Sequence, residues 1–396
     1  MISRIAIRSG VAAAALGTMA CGGGGDDGGD GGTPPPAGAE FTVQAGGNNV
    51  PERYTSDLWI RGSYAYTGTW GGAPRGNQAG DVVKIWSLDA TGAPTLADSL
   101  KVPSIGTVSD VQVSEDGAVL VFGAEFGSNA GLYVYGLADP LHPVFQDSAL
   151  VAEGIHTATI ADIAGRRYVF AARDPDNPAL LIYDITSPTA MSLVSSVPIP
   201  PNYGIHDTYV RDGLAFVFAW NTGMILYDVG NGLVGGSPAE PKEVSRLLPS
   251  DRGVAGGAAV HNGWWFHNPV SGENRYLFIG QEGAGVLGSQ SSGDIHVIDV
   301  QDLFHPTEVA FFHLAGAGTH NFWMDEQRQV LYAAYYNAGV IALDVSGQLS
   351  GDLSQRLISQ VRPGGTGDTF TWGVQLQGQS LYASDMLSGL WQLGVP

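Results

Sequence analysis

Four histidines, His156, His206, His261 and His320, each open a short strand-like segment and are each followed by a polar residue: Thr157, Asp207, Asn262 and Asn321. Imidazole nitrogens gathered from separate segments, with carboxylate or amide acceptors beside them, form the donor set of a site for zinc, copper, iron or nickel. Asp207 is the candidate general base if such a site were catalytic. Ser56-Asp57 and Ser109-Asp110 hold the matching place in two upstream segments, and Trp372-Gly373 holds it in the last. These columns nominate Asp57, Asp110, His156, His206, Asp207, His261, Asn262, His320, Asn321 and Trp372 as ligand-binding residues, with the four histidines as metal ligands. A structural reading competes with the metal one and is preferred. Polar residues that belong to every copy of a repeat more often satisfy neighbouring hydrogen-bonding groups.

The elements that would have to bring these residues together repeat along the chain. A short apolar strand ending in Asp or its substitute recurs seven times, as in Leu181-Ile182-Tyr183-Asp184, Ile225-Leu226-Tyr227-Asp228 and Ile341-Ala342-Leu343-Asp344. Before each copy lies an aromatic-rich strand such as Tyr168-Val169-Phe170 or Phe216-Val217-Phe218, and before that an inner strand such as Asp207-Thr208-Tyr209-Val210. A more polar fourth strand follows each Asp, as in Pro306-Thr307-Glu308-Val309. β-Branched and aromatic residues suit a pleated, half-buried surface. A four-stranded unit cannot bury both faces alone, so seven such blades stack side by side and close a ring. The expected fold is therefore all-β, a seven-bladed β-propeller over residues 40–396. The last blade lacks an outer strand, whereas Phe41-Thr42-Val43-Gln44 precedes the first blade with none of its own, so this N-terminal strand is expected to close the last blade. In such a ring the inner-strand starts converge on one mouth of the central channel. The long glycine-rich loops from Gly71 to Asp81 and from Gln281 to Asp294 are expected on the same face.

The units resemble LVIVD repeats of exported bacterial propellers, in which such a strand ends in Asp and is followed by a Ser-Asp-Pro turn. Ile182-Tyr183-Asp184-Ile185-Thr186-Ser187-Pro188 carries the likeness best, and the resemblance spans residues 52–396; Ser87 and Gly136 replace the Asp in the first two copies. The resemblance implies a fold and an exported setting rather than an activity.

The other residues refine this picture. The spacing from Asp228 to Asp299 (299 − 228 = 71) exceeds the other repeat spacings, so the blade carrying His261 is expected to hold an insertion. Trp264, Trp265 and Phe266 are read as blade-interface fillers in preference to a stacking wall for a flat ligand. His142 and His305 precede proline in turns, and His296 and His313 are read as packing or surface residues. No nucleophile elbow, zinc-protease helix, phosphate-binding lysine loop or dinucleotide fingerprint is present in the sequence.

Residues 1–20 combine Arg4 and Arg8 with the apolar run Val11–Leu16 and end on small residues, the layout of a secretory signal. Thr18-Met19-Ala20-Cys21 resembles a bacterial lipoprotein signal, which implies lipidation at Cys21. Residues 21–39, rich in Gly and Asp and then Pro, form a tether with nothing to bury. Gly22 after the cysteine resembles lipoproteins released to the outer membrane, where contact with the membrane would run only through the lipid. A net charge of −20 with no basic cluster argues against nucleic acid. The leading expectation is a non-enzymatic envelope module that binds a protein, peptide or saccharide at the channel mouth; the alternative is a metal-dependent oxidoreductase or hydrolase using the histidine cluster.

Overall fold

The computed structural model describes residues 39–396, apart from residues 49–50, 74, 77, 175–176 and 201–203. Cys21, the signal segment and most of the tether lie outside the described residues.

The strands assemble into seven antiparallel sheets. The first blade runs Tyr54–Arg61, Tyr64–Trp70, Val82–Leu88 and Pro94–Lys101 from the inside outward. Five further blades repeat this order, with inner strands Val111–Val113, Ala158–Ile163, Asp207–Arg211, Val260–Phe266 and Phe322–Asp325. The seventh has Thr371–Gln377, Ser380–Asp385 and Gly389–Gly394, and its outer edge is the N-terminal strand Thr42–Gly46. That strand pairs antiparallel with Gly389–Gly394, Thr42 opposite Gly394 and Gly46 opposite Trp391. The seven-bladed ring and its N-terminal clasp are thus as the repeat pattern requires.

Burial explains why the ring forms. Second and third strands are buried almost throughout, as in Leu214–Phe218 and Met224–Asp228, while outer strands are largely exposed. Seven apolar clusters each join two consecutive blades, and one of them closes the circle by packing Leu58, Ile60 and Trp86 of the first blade against Tyr382 and Leu390 of the last. Each blade therefore completes its neighbour's core.

The Asp of the repeat performs a local task. Asp184, Asp299 and Asp344 each accept a hydrogen bond from the amide two residues on, at 2.9, 3.0 and 2.8 Å. This side-chain turn fixes the exit from the third strand. The first two blades, which lack the Asp, substitute Asp89 and Asp139 slightly downstream; Asp89 accepts from Thr91 and Ala93, and Asp139 from Leu141.

The long interval after Asp228 is not an insertion in one blade. Residues 230–241 form the turn leading to the outer strand Lys242–Leu247 of the fourth blade, and residues 282–294 form a mouth loop of the fifth. A short strand from the sixth blade's outer turn, Gly351–Asp352, also adds in parallel to the fifth blade.

Candidate functional site at the channel mouth

The inner strands begin at one mouth of the channel, so position along each strand reads as depth. The first level is an arc of rings. His156 and His206 have centroids 4.0 Å apart, His206 and His261 4.1 Å, His261 and His320 4.1 Å, and His320 and Trp372 4.4 Å. All four sequence-nominated histidines and Trp372 are thus brought together. Trp220 packs edge-on to His206 at 4.5 Å, and Tyr336 lies 5.0 Å from His320. Trp220 and Tyr336 hold φ of 45° and 40°, a left-handed conformation that bulky residues rarely adopt and that rigid surroundings must enforce.

The second level is acidic. Asp57, Asp110, Asp207, Asn262 and Asn321 line a cavity of about 210 Å³ together with the four histidines. Asn321 Nδ2 donates to Asp57 at 2.9 Å, and Asp110 accepts from the Ala158 amide at 2.7 Å. Gly373 completes this column because a Cβ there would stand 2.3 Å from Asp57 Oδ1. The third level is aromatic: Trp264 and Trp323 lie 5.2 Å apart, with Trp59 6.1 Å from Trp323 and Tyr209 5.3 Å from Trp264. The two readings of the fifth-blade aromatics therefore divide. Trp265 is a buried interface residue against Phe216, as expected, whereas Trp264 lines the channel.

Outside the histidines, on the mouth side, lies a vestibule of about 270 Å³ walled by Trp70, Leu287, Tyr336, Phe370, Trp372 and Met386. Its floor is His156, His206, His320 and Glu282, and Gly283 and Gly285 of the expected mouth loop border it. The other expected loop also reaches this face, where Arg75 donates to the carbonyls of Met386 and Leu387 at 3.1 and 2.8 Å.

Two carboxylates at this level were absent from the nominated columns. Glu125 accepts from His156 Nδ1 at 2.9 Å and from the Ser109 hydroxyl. Glu282 Oε2 stands 3.6 Å from both His206 Nε2 and His261 Nε2, while its Oε1 accepts from the Tyr336 hydroxyl. Each lies one residue beyond its blade's second strand, which ends at Ala124 or Gln281. Asp174 follows Arg173 in the same place in the third blade. That shared offset was the available signal.

The preferred structural reading holds for part of the columns only. Asp57, Asp110 and Asn321 do bond to one another or to strand amides, and the Thr157 hydroxyl donates to the His206 carbonyl at 2.7 Å. Yet His206 Nδ1, both nitrogens of His261 and His320 Nε2 are buried without a hydrogen-bond partner. His320 does serve a strand end, its Nδ1 donating to the Trp372 carbonyl at 2.7 Å, but the unpartnered nitrogens serve none. His156 differs from the other three, because its Nδ1 is engaged by Glu125; the nominated four-histidine set becomes an inner group of His206, His261 and Glu282, whose donor atoms all lie within 4.8 Å of one another, flanked by His320 and His156.

Electrostatics follow the same division. Burial pulls the His156 imidazole down, but the Glu125 carboxylate outweighs it and holds the pKa up to about 9. Burial first, then the His156 charge, lowers His261 to about 3 and holds His206 well below the usual imidazole range, and burial followed by the neighbouring His261 does the same for His320. Burial raises Asp207 to about 7 and, with the Asp110 charge, lifts Asp57 well above the carboxylate range.

A carboxyl whose pKa is raised by folding favours the protonated native state. Its contribution is intact at acid pH and is lost as pH rises above about 4. Asp57→Asn, which still accepts from Asn321, is therefore expected to raise the thermal midpoint by a few degrees at pH 8 and to match wild type at pH 4. A difference that does not change with pH would contradict this reading of the acidic level.

No protein-family model matches the chain, and no curated protein matches it in sequence. Among solved structures, the chain is similar to the β-propeller domain of Cps50 (Swd1) from Myceliophteria thermophila, with a TM-score of 0.59 over 90% of this chain and 99% of that one. At 13% identity this likeness concerns the fold alone, and the fold is that of a β-propeller.

Proposed function

We propose that this chain is an exported propeller of the LVIVD-repeat type, tethered to the outer membrane through Cys21, that binds a saccharide, peptide or protein at its channel mouth. The observation that carries the reading is the vestibule. Six large, mainly apolar side chains surround a polar floor of histidine and glutamate, so an entering group meets flat apolar faces and hydrogen-bonding atoms together. About 270 Å³ is below the range for a whole drug-sized ligand. The occupant is accordingly one ring-sized group, such as a terminal sugar or an aromatic side chain, presented by a larger partner.

The metal-dependent enzyme is favoured by one observation, the unpartnered imidazole nitrogens. Asp207, its candidate base, faces the inner cavity and does not line the vestibule. The binding reading therefore accounts for more of the site.

An immobilised panel of oligosaccharides and peptides, probed with the wild-type chain and with Trp372→Ala and Trp70→Ala, tests the proposal. Loss of a wall aromatic is expected to weaken each panel ligand by about tenfold or more, the scale of one removed stacking contact. Binding that survives both substitutions unchanged would place the ligand elsewhere and overturn the reading.

A further inference from the structure

We infer that the floor of the vestibule is a binding site for one divalent first-row transition-metal ion, held by His206, His261 and Glu282 with His320 beside them. This goes beyond the binding reading and does not depend on it.

The geometry carries the inference. Glu282 Oε2 stands 3.6 Å from His206 Nε2 and 3.6 Å from His261 Nε2. That is too long for a hydrogen bond. It is close to the edge of a tetrahedron with metal–ligand bonds of ~2.1 Å, which is about 3.4 Å. All three donor atoms lie within 4.8 Å of one another, so one ion can be reached from each.

Burial without partners is the second observation. His206 is 6% exposed, and His261 and His320 are each 2% exposed. Between them they leave four ring nitrogens with no hydrogen-bond partner, counting both on His261. Buried polar atoms are nearly always paired, because an unmade bond costs each its desolvation. One of the four, His261 Nε2, is also one of the atoms 3.6 Å from Glu282 Oε2, and an ion there would give it the partner it lacks.

The surroundings orient the donors as a metal site requires. His320 Nδ1–H donates to the Trp372 carbonyl at 2.7 Å, which leaves Nε2 as the ring's free lone pair. The Tyr336 hydroxyl holds Glu282 Oε1 and thereby fixes where Oε2 points. Such outer bonds fix tautomer and ligand direction in metal centres. Tyr336 occupies its place despite a φ of 40°, so the backbone carries strain where this support is needed. Glu282, His206 and His320 all line the vestibule, so a position on the ion would remain open to solvent or ligand. Two imidazoles and one carboxylate suit zinc, cobalt, nickel, iron or copper rather than calcium or magnesium, which require oxygen-rich shells.

The test uses the full chain, stripped with a chelator, dialysed and titrated with Zn²⁺ by calorimetry and with Co²⁺ by visible absorption. One equivalent of each is expected to bind, with Co²⁺ bands typical of a nitrogen and oxygen shell, and millimolar Mg²⁺ is not expected to compete. Glu282→Gln, whose amide still accepts from Tyr336, and His261→Ala are each expected to weaken Zn²⁺ at least 10-fold. His142→Ala, at an exposed turn, is expected to bind like wild type. Absence of a stoichiometric site in wild type, or an affinity unchanged in Glu282→Gln, would overturn the inference. If His261→Ala does not fold, Glu282→Gln decides the matter alone. Ligand capture on the panel is read without added metal, so either proposal can fail while the other stands.

Discussion

A chain lacking residues 40–46 is expected to melt roughly 10 °C below the intact protein and to lose the single cooperative transition of a closed ring. The segment contributes the outer strand of the seventh blade, pairing Thr42, Val43, Ala45 and Gly46 with the strand Gly389–Gly394. It also buries Phe41, which is 8% exposed and packs 6.1 Å from Tyr332 in the sixth blade. Phe41 thus belongs to the core shared by the sixth and seventh blades. Phe41→Ala alone is expected to cost about 3 kcal/mol, the usual scale for truncating a buried aromatic. Gly46 limits how the strand can end, since its φ is 103° and an added Cβ would stand 2.1 Å from the Leu390 carbonyl oxygen. Without the clasp, Gly389–Gly394 becomes an open edge, and a propeller tolerates only short protected edges. Differential scanning calorimetry measures the effect, and an unchanged midpoint would show that the ring closes without its N-terminal strand.

Asp228→Ala is expected to be the most damaging single change among the repeat aspartates, costing about 3 kcal/mol or more. The other repeat aspartates fix a two-residue turn, but Asp228 organises a whole loop. Its Oδ1 accepts from the amides of Gly230, Asn231 and Gly232, and its Oδ2 from those of Val234 and Gly236, at 2.8 to 3.2 Å. Burial alone would raise its pKa, yet these amides outweigh burial and hold the carboxyl far below the ordinary range. A depressed pKa contributes stability that is full above about pH 4 and is lost as pH falls through the folded value. The penalty of Asp228→Ala, measured by denaturant unfolding, is therefore expected at neutral pH and should shrink in strong acid. Asp228→Asn should recover part of it, because one amide oxygen replaces two carboxylate oxygens. Equal stability of wild type and Asp228→Ala at pH 7 would contradict this account.

The sequence makes the ring legible because strand patterns are local and repeat seven times. It also makes the mouth legible: inner-strand starts align, so His156, His206, His261, His320 and Trp372 had to converge once the ring closed. Glu125 escaped, and Glu282, although its loop was expected at the mouth, was not nominated as a site residue, for one physical reason. They lie one residue past the second strand, where the chain leaves the ladder and the repeat imposes no residue type: the same place holds Ala219 in the fourth blade and Tyr335 in the sixth. Nor does a sequence reveal which imidazole nitrogens are left unpaired. That depends on distances such as the 2.9 Å from His156 to Glu125 against the 3.6 Å from His206 to Glu282. Trp264 and Trp265 illustrate the period-two rule, since adjacent strand residues face opposite ways, one into the channel and one into the blade interface.

The most direct test of the mouth as the binding surface is hydrogen–deuterium exchange of the full chain with and without the best ligand from the panel. Protection is expected at the residues that line the vestibule and their neighbours, around Trp70, Glu282, Leu287, Tyr336, Phe370, Trp372 and Met386. Protection confined instead to outer strands such as Val144–Leu150, where Val144, Phe145 and Leu150 are exposed, would contradict this expectation.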